Sequence, residues 1–351
     1  MELPCGVRNY TYEQDMAIIR TKTQWGLFIG FLILLFTCPL YWSNYWLSVA
    51  NLVGITLIAA TGLNILTGYC GQLSIGHVSF IAVGAYTTAI LTGKLGLPFP
   101  AALICSGFSA GFIGLIFGIP SLRVKGFYLA IATIAAQFII IWVINHWSAL
   151  TGGFLGIMVP YASIGGFVFK SEASMFYLIM AIAFIGLFYA KNLARTKVGR
   201  VFVAIRDNDL AAEVMGVNLF YYKLLAFFIG CFFAGIAGCL FAHWVGFLNA
   251  EQFSLGESIL YVGMIIIGGL GTTLGPILGV VFVRLLQQLL SVWVIPFMGA
   301  AFPLLPAGFT TGLAPMLFGV AIILFLVLEP RGIAHRWALF KAAYRLWPFS
   351  Y

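Results

Sequence analysis

The chain has 351 residues, of which 62% are hydrophobic and 8% charged, and its formal net charge is +8. A soluble domain of this size could not bury so much apolar surface. Successive runs of about 17–25 apolar residues can each cross a hydrocarbon core of about 30 Å. The composition therefore predicts an all-α, polytopic integral membrane helix bundle of about eight to ten spans, without a soluble domain.

The positive charge follows the predicted membrane topology rather than a nucleic-acid surface. If the N-terminus is cytoplasmic, every Lys and Arg except Lys94, Lys170 and Arg284 falls on the cytoplasmic side or tail. This is the positive-inside distribution, and it predicts that both termini are cytoplasmic and that no nucleic acid is bound. The cysteines form no CxxC pair and lie mostly in apolar runs, which favours buried thiols over a metal site.

The predicted elements give three regions: a cytoplasmic segment 1–24, a transmembrane domain 25–328 and a cytoplasmic tail 329–351. The N-terminus is too polar for a signal peptide, so we expect the first apolar run to remain in the mature protein. The predicted spans before a central polar passage at 191–223 are 25–42, 45–66, an interrupted run from about 73, 99–119, 127–147 and 175–190. Those after it are 224–247, a short run 258–269, a run to about 295, and 313–328.

Two glycine-rich passages interrupt the spans, one at 61–91 and one at 263–283, and their similar composition would fit related elements of two internal halves. If residues 258–283 enter and return as two half-helices, the chain has eight spans. If they cross twice, it has ten. The first arrangement keeps Arg284 near a surface, where a charge costs less, so we expect a re-entrant segment.

The passage 191–223 is the one long polar stretch between the first and last hydrophobic segments. Its centre, 206–217, is predicted to be a short helix with Asp207 or Asp209 as N-cap and Gly216 as the stop. Ala211 and Ala212 favour the helix and would let another surface approach closely. The passage is either a solvated connector or a docking helix.

The sequence contains no catalytic constellation: no HExxH, no GxxxxGK[ST] phosphate loop and no paired carboxylates. We therefore expect a protein that is not an enzyme and needs no cofactor. If it performs energy-requiring work, the energy comes from a partner or from an ion gradient.

Residues 211–216, AAEVMG, preceded by GRVFVAIRDND, resemble the coupling-loop motif of ATP-binding-cassette (ABC) importer permeases. The closest resemblance is to branched-chain amino-acid permeases of the LivM type. Further matches in the family's order are GLNILTGYCGQLSIGHVSFIAVGAYTTA at 62–89, LRVKGFYLAIATIA at 122–135, GGLGTTLGPILG at 268–279 and EPRG at 329–332. The acid of the motif follows the two alanines here, so Glu213 does not take the usual glutamate's role.

The resemblance implies one of two homologous permease subunits in a bacterial inner membrane. Two cytoplasmic ATP-binding subunits would drive it, a periplasmic solute-binding protein would feed it, and it would import branched-chain or related amino acids by alternating access. The residues it implies for ATPase coupling are Arg206, Asp207, Asp209, Ala211, Ala212, Glu213 and Gly216.

Polar side chains at membrane depth are the candidates for the solute path, because burying them there is costly. They are Asn64, Gln72, Ser74, His77, Thr133 and Gln137. The alternative is that these groups bond to neighbouring helices, and for His77 we favour that alternative.

Other functions remain open from the sequence. A permease for urea or short-chain amides has overlapping motifs. An ion-coupled secondary transporter would need carboxylates at span centres, whereas Glu251 and Glu257 are predicted near an outer edge. A purely structural subunit is the third alternative.

Overall fold

The structure is a computed structural model that describes residues 22–121, 126–294 and 307–346. Six helices in these ranges are long and apolar enough to cross a membrane, which confirms the predicted polytopic helical fold. Most of the predicted segment 1–24, the basic turn with Arg123 and Lys125, and the last residues of the tail lie outside the described residues.

Besides two short 3-10 helices, Gly153–Leu155 and Ala250–Phe253, fourteen α-helices are described. They are α1 (Lys22–Tyr41), α2 (Asn44–Leu63), α3 (His77–Ala89), α4 (Phe99–Ser121), α5 (Phe127–His146), α6 (Ser148–Thr151), α7 (Glu172–Arg195), α8 (Lys197–Asp207), α9 (Asp209–Val214), α10 (Leu219–Val245), α11 (Leu255–Gly268), α12 (Gly275–Leu289), α13 (Ala307–Leu328) and α14 (Ile333–Leu346). Three helices continue as π-helical turns: α2 through Asn64–Tyr69, α3 through Ile90–Lys94 and α12 through Leu290–Val294.

Short strands add a small β component to the predicted all-α fold. They are β1 (Ile157–Met158), β2 (Ser163–Ile164), β3 (Phe167–Val168) and β4 (Phe247–Leu248). The antiparallel pair β1–β4 joins the segment after α5 to the end of α10, and β2 and β3 form a hairpin. We call this end of the bundle the strand end. The opposite end, where α8 and α9 lie, is the α8–α9 end.

Helix α10 packs at the centre of the bundle through backbone contacts that glycine makes possible. A Cβ at Gly84 of α3 would lie 2.4 Å from the carbonyl oxygen of Gly235, and one at Gly238 would lie 2.1 Å from that of Ile81. Small residues at such positions let helix backbones approach closely in a membrane bundle. The core therefore consists of α10 packed against α2, α3 and α4.

Two halves of the chain repeat one pattern in opposite directions: a long helix, an irregular segment, a half-length helix and two further helices. In the first half α2 leads through 70–76 into α3, and in the second α10 leads through 246–254 into α11. The predicted internal relationship is thus present, but the counterpart of 61–91 is the region around 246–268. The pairing with 263–283 was wrong, because glycine content there serves a turn between helices.

The expected re-entrant segment is also wrong. Helix α11 runs to the α8–α9 end, where the turn 269–274 meets Arg206, and α12 with its π-helical turn runs back over Gly275–Val294. The irregular segments 70–76 and 246–254 each complete the path of a half-length helix. Within the described ranges, the chain therefore passes between the two ends ten times when α1 and α13 are included.

Candidate functional site

The central polar passage is helical for most of its length. Helix α7 extends to Arg195, α8 follows, and Asn208 separates α8 from α9. The side-chain oxygen of Asn208 accepts the backbone N–H of Ala211 at 3.0 Å, so Asn208 is the N-cap of α9. The predicted N-caps Asp207 and Asp209 were wrong because they flank the cap, one ending α8 and the other starting α9.

Gly216 ends α9 as predicted. Its φ of +85° is in the left-handed region that glycine adopts without strain. Its N–H donates to the carbonyl of Glu213 at 2.9 Å, and the N–H of Val217 donates to that of Ala212 at 3.0 Å. These two bonds form a Schellman motif, which satisfies the last carbonyls of the helix.

The surface of α9 carries apolar side chains that the sequence reasoning did not single out. Val214 is 88% exposed and Met215 84%, and Leu210 on the same helix is also exposed. We call these three residues the α9 apolar patch. Ala211 and Glu213 are exposed beside it, whereas Ala212 is buried within the chain and lies on the inner side of the helix.

Arg206, at the end of α8, contacts both halves of the bundle. Its Nη1 donates to the carbonyl oxygen of Gly68 at 3.0 Å, and its Nη2 lies 2.9 Å from Oδ1 of Asp207. Its side chain also packs against Gly71 and Gly271, where a Cβ would come within 2.9 Å and 2.5 Å of it. Arg206 thus touches the turn after α2 and the turn between α11 and α12.

A polar cavity of about 330 Å³ opens beside these contacts. Its lining includes Gly71, Gln72, Leu129, Arg206, Asp209 and Lys223. Lys223 Nζ lies 3.6 Å from Oδ2 of Asp209, so charges of both signs border the cavity. The cavity brings three predicted coupling residues, Arg206, Asp207 and Asp209, next to the predicted path residue Gln72.

Three predicted path residues have structural hydrogen bonds. Asn64 donates to the carbonyl of Thr272 at 2.9 Å and accepts the N–H of Gly271 at 3.0 Å, which ties the end of α2 to the turn 269–274. Thr133 Oγ1 accepts the N–H of Ile75 at 3.0 Å. Asn64 and Thr133 therefore bond to neighbouring segments of the chain, which was the alternative to a role in the solute path. Gln137 does the same.

Gln137 lies one helical turn after Thr133 on α5 and holds the second irregular segment. Its Oε1 accepts the hydroxyl of Ser258 at 2.7 Å, and its Nε2 donates to the carbonyl of Phe253 at 3.2 Å. Thr133 and Gln137, on one face of α5, therefore hold the two irregular segments 70–76 and 246–254 in place.

The other three predicted path residues are buried without full hydrogen bonding. Gln72 Oε1, Ser74 Oγ and both ring nitrogens of His77 have no hydrogen-bond partner among the described residues. Gln72 lines the cavity beside Arg206, whereas His77 begins α3 where that helix meets α11, since the N–H of Val78 donates to Ser258 Oγ at 3.2 Å. Polar atoms of this kind remain available for a solute or water.

Arg284 is within the bundle, contrary to the expectation that it lies near a surface. Its side chain is 10% exposed, and its Nη2 lies 3.4 Å from Oε2 of Glu257. Glu257 was predicted near an outer edge, but it lies in the first turn of the half-length helix α11 and therefore at mid-depth between the two ends of the bundle. The sequence signal for this buried charge was the polar set Arg284, Gln287 and Gln288, which recurs at spacings of three and four residues on α12.

Comparison with known proteins agrees with this architecture. The family described as the permease component of branched-chain amino acid transport systems matches residues 45–326. The chain is 30% identical over 287 residues to the high-affinity branched-chain amino acid transport system permease protein LivM of Escherichia coli strain K12. That alignment covers 75% of this chain and 67% of LivM.

Two further relatives are more distant. A probable branched-chain amino acid transport permease protein LivM of Methanocaldococcus jannaschii is 26% identical over 240 residues, 66% of this chain and 67% of that protein. The autoinducer 2 import system permease protein LsrC of Enterobacter sp. strain 638 is 28% identical over 262 residues, 72% of this chain and 65% of that protein. No solved structure matches. The chain is a multi-pass membrane protein that belongs to the permease-component family of branched-chain amino acid transport systems.

Proposed function

We propose that the chain is a transmembrane permease subunit of an ABC importer for branched-chain or related amino acids, and that ATP-binding subunits drive it through α8 and α9. The α9 apolar patch supports this coupling role most directly. Apolar side chains exposed on a short, well-capped helix are typical of a protein interaction surface.

Arg206 would transmit movement from the α9 apolar patch to the bundle. Movement of α8 and α9 would displace the turn after α2 and the turn 269–274 together, because Arg206 contacts both. Asp207, Asp209 and Glu213 would make charge-assisted contacts with the ATP-binding subunits. Rigid-body displacement of packed helices is an established way to alternate between two open states.

The remaining parts of the importer follow from the same proposal. The α8–α9 end faces the cytoplasm of a bacterial inner membrane, since basic residues favour that side. A second homologous permease completes the translocation path, and a periplasmic solute-binding protein delivers solute at the strand end. Gln72, Ser74 and His77 border the path, because their buried polar atoms lack partners among the described residues.

Branched-chain amino acids are the favoured solutes because the LivM relatives are named for their transport. An ion-coupled transporter is less well supported, since Glu257 is paired with Arg284 and its charge is already compensated.

The coupling role can be tested with Val214→Lys in the chain expressed with its importer partners. A lysine suits the C-terminal turn of a helix, so the variant is expected to fold and insert. We expect loss of co-purification with the ATP-binding subunit and at least a tenfold fall in ATP-dependent leucine uptake.

The matched control is Leu155→Lys, which alters an equally exposed apolar residue at the strand end. It should bind the ATP-binding subunit as the unmodified chain does. Normal ATPase binding and uptake by Val214→Lys would refute docking through α9.

A further inference from the structure

A group of charged and polar side chains surrounds Arg284 of α12 inside the helical bundle. Besides the pair with Glu257, its Nη1 donates to Gln287 Oε1 at 2.9 Å and its Nε donates to Thr56 Oγ1 at 3.2 Å. The guanidinium carbon lies 6.0 Å from the centre of the Tyr261 ring. Helices α2, α11 and α12 thus converge on one cation.

This group lies about halfway between the strand end and the α8–α9 end. Glu257 is in the first turn of α11, next to Ser258, which contacts the start of α3. Arg284 is the tenth residue of the fifteen-residue helix α12. A charge at this depth is costly in lipid unless it is paired and faces protein or a water-filled path.

The Glu257–Arg284 ion pair is partly accessible from the surface of the chain. The side chain of Glu257 is 34% exposed, and Gly256 beside it is exposed. Arg284, Gln287 and Gln288 form a polar stripe on α12 at spacings of three and four residues, and Gln288 bonds to the hydroxyl of Tyr45.

The outward surface of α12 also carries exposed apolar side chains, among them Leu285 and Leu289, so the polar stripe is narrow. The outward faces of α4 and α5 are apolar instead. Helix α4 presents Phe108 and Phe112 to the outside, and α5 presents Phe138. Those faces suit lipid, whereas the polar stripe suits a water-filled path beside a second permease subunit.

The two charges match the two charged groups of an amino acid. A guanidinium offers parallel N–H donors that fit a carboxylate, and a carboxylate accepts bonds from an ammonium group. At 3.4 Å the Glu257–Arg284 contact is long for a charge-assisted bond, so its exchange for solute contacts sacrifices little. During exchange each charge keeps an opposite partner, which avoids an uncompensated buried charge.

We propose that Glu257 and Arg284 bind the ammonium and carboxylate groups of a zwitterionic α-amino acid as it crosses the bundle. The proposal rests on the importer function above and specifies the solute class within it. A neutral amide cannot make the exchange, since it would separate the pair without replacing either charge.

The test uses the full chain in a purified complex with its second permease and ATP-binding subunits, without the solute-binding protein. Equilibrium binding of radiolabelled leucine is measured, with leucinamide and 4-methylpentanoate as competitors that lack the carboxylate and the ammonium group respectively. Each competitor should bind at least tenfold more weakly than leucine. Arg284→Gln should abolish the preference for leucine over leucinamide.

A second variant separates binding from folding. Arg284→Lys keeps the charge and can keep the ion pair, but it loses the parallel donors, so leucine affinity should fall by at least threefold in a stable complex. Arg336→Gln is the matched control, because it removes another ion-paired arginine, the partner of Glu329, at the α8–α9 end. It should leave the preference for leucine unchanged.

Three results would overturn the proposal. They are absence of saturable leucine binding by the unmodified complex, unchanged selectivity in Arg284→Gln, and loss of complex stability in Arg284→Gln and Arg284→Lys with no change in the leucine-to-leucinamide ratio. Leucine uptake by cells that contain the complete system is measured separately. If that uptake is absent, the importer function itself fails.

Discussion

Asn64 uses its whole side-chain amide to join two parts of the chain that are far apart in sequence. Its bonds to Gly271 and Thr272 cross about two hundred residues and fasten the π-helical turn after α2 to the turn 269–274. A side chain with both ends engaged in this way holds the bundle together and has little capacity left for a solute.

We therefore predict that Asn64→Ala destabilises the protein. Loss of the amide leaves the N–H of Gly271 and the carbonyl of Thr272 without these partners, at a cost of about 1–3 kcal/mol in the free energy of unfolding. Thermal unfolding in detergent should show a lowered midpoint. Asn145→Ala is the control, since the Asn145 amide oxygen has no hydrogen-bond partner among the described residues. Equal midpoints for the two variants would contradict the structural role of Asn64.

The sequence singled out six polar side chains as path candidates but could not separate those bonded to neighbouring helices from the others. Asn64, Thr133 and Gln137 are bonded by groups that lie 58 to 208 residues away, and local patterns do not reveal such partners. The Glu257–Arg284 pair was missed for the same reason, because its two residues look like edge residues until α11 is known to start at mid-depth.

Among the elements, α10 shows how glycine sets the distance between helices. Gly238 lies so close to α3 that an added methyl group would meet the carbonyl of Ile81. We predict that Gly238→Ala lowers the free energy of unfolding by about 1–3 kcal/mol, as overpacking of a close contact does.

The matched substitution is Gly30→Ala in α1, where no atom lies within 4 Å of the new Cβ. Alanine favours the helix over glycine, so this variant should be as stable as the unmodified chain or more so. Thermal unfolding in the same detergent compares the two. A midpoint for Gly238→Ala equal to that of Gly30→Ala would refute tight packing between α3 and α10.

The glycine-rich composition predicted where the helices break, but it did not predict the direction in which the chain continues after each break. Both 61–91 and 263–283 contain several glycines, yet the first holds a half-length helix and the second a turn between helices. The cap of α9 shows a related limit. Asp207, Asn208 and Asp209 are all suitable N-caps, and the end of α8 decides in favour of Asn208.

For the whole molecule, the ten passages between the ends predict which loops share a side of the membrane. Lys170 is exposed at the strand end and Arg200 at the α8–α9 end. Under the proposed orientation, a membrane-impermeant thiol reagent should label Lys170→Cys in cells with a permeabilised outer membrane. Arg200→Cys should be labelled only after the inner membrane is opened or inverted. The unmodified chain gives the background from its own thiols, and labelling of both variants from one side would contradict the passage count.

The meeting of α3 and α11 has a consequence for ions other than the solute. Each half-length helix spans about 20 Å and points its N-terminus at the contact between Val78 and Ser258. A helix N-terminus is equivalent to roughly half a positive elementary charge, so two of them create a positive potential at the buried centre of the chain. Such a potential favours a carboxylate and disfavours an unpaired cation, as in other membrane pores with half-helices. Glu257 in the first turn of α11 already takes advantage of it, which helps to explain why a carboxylate is tolerated at this depth.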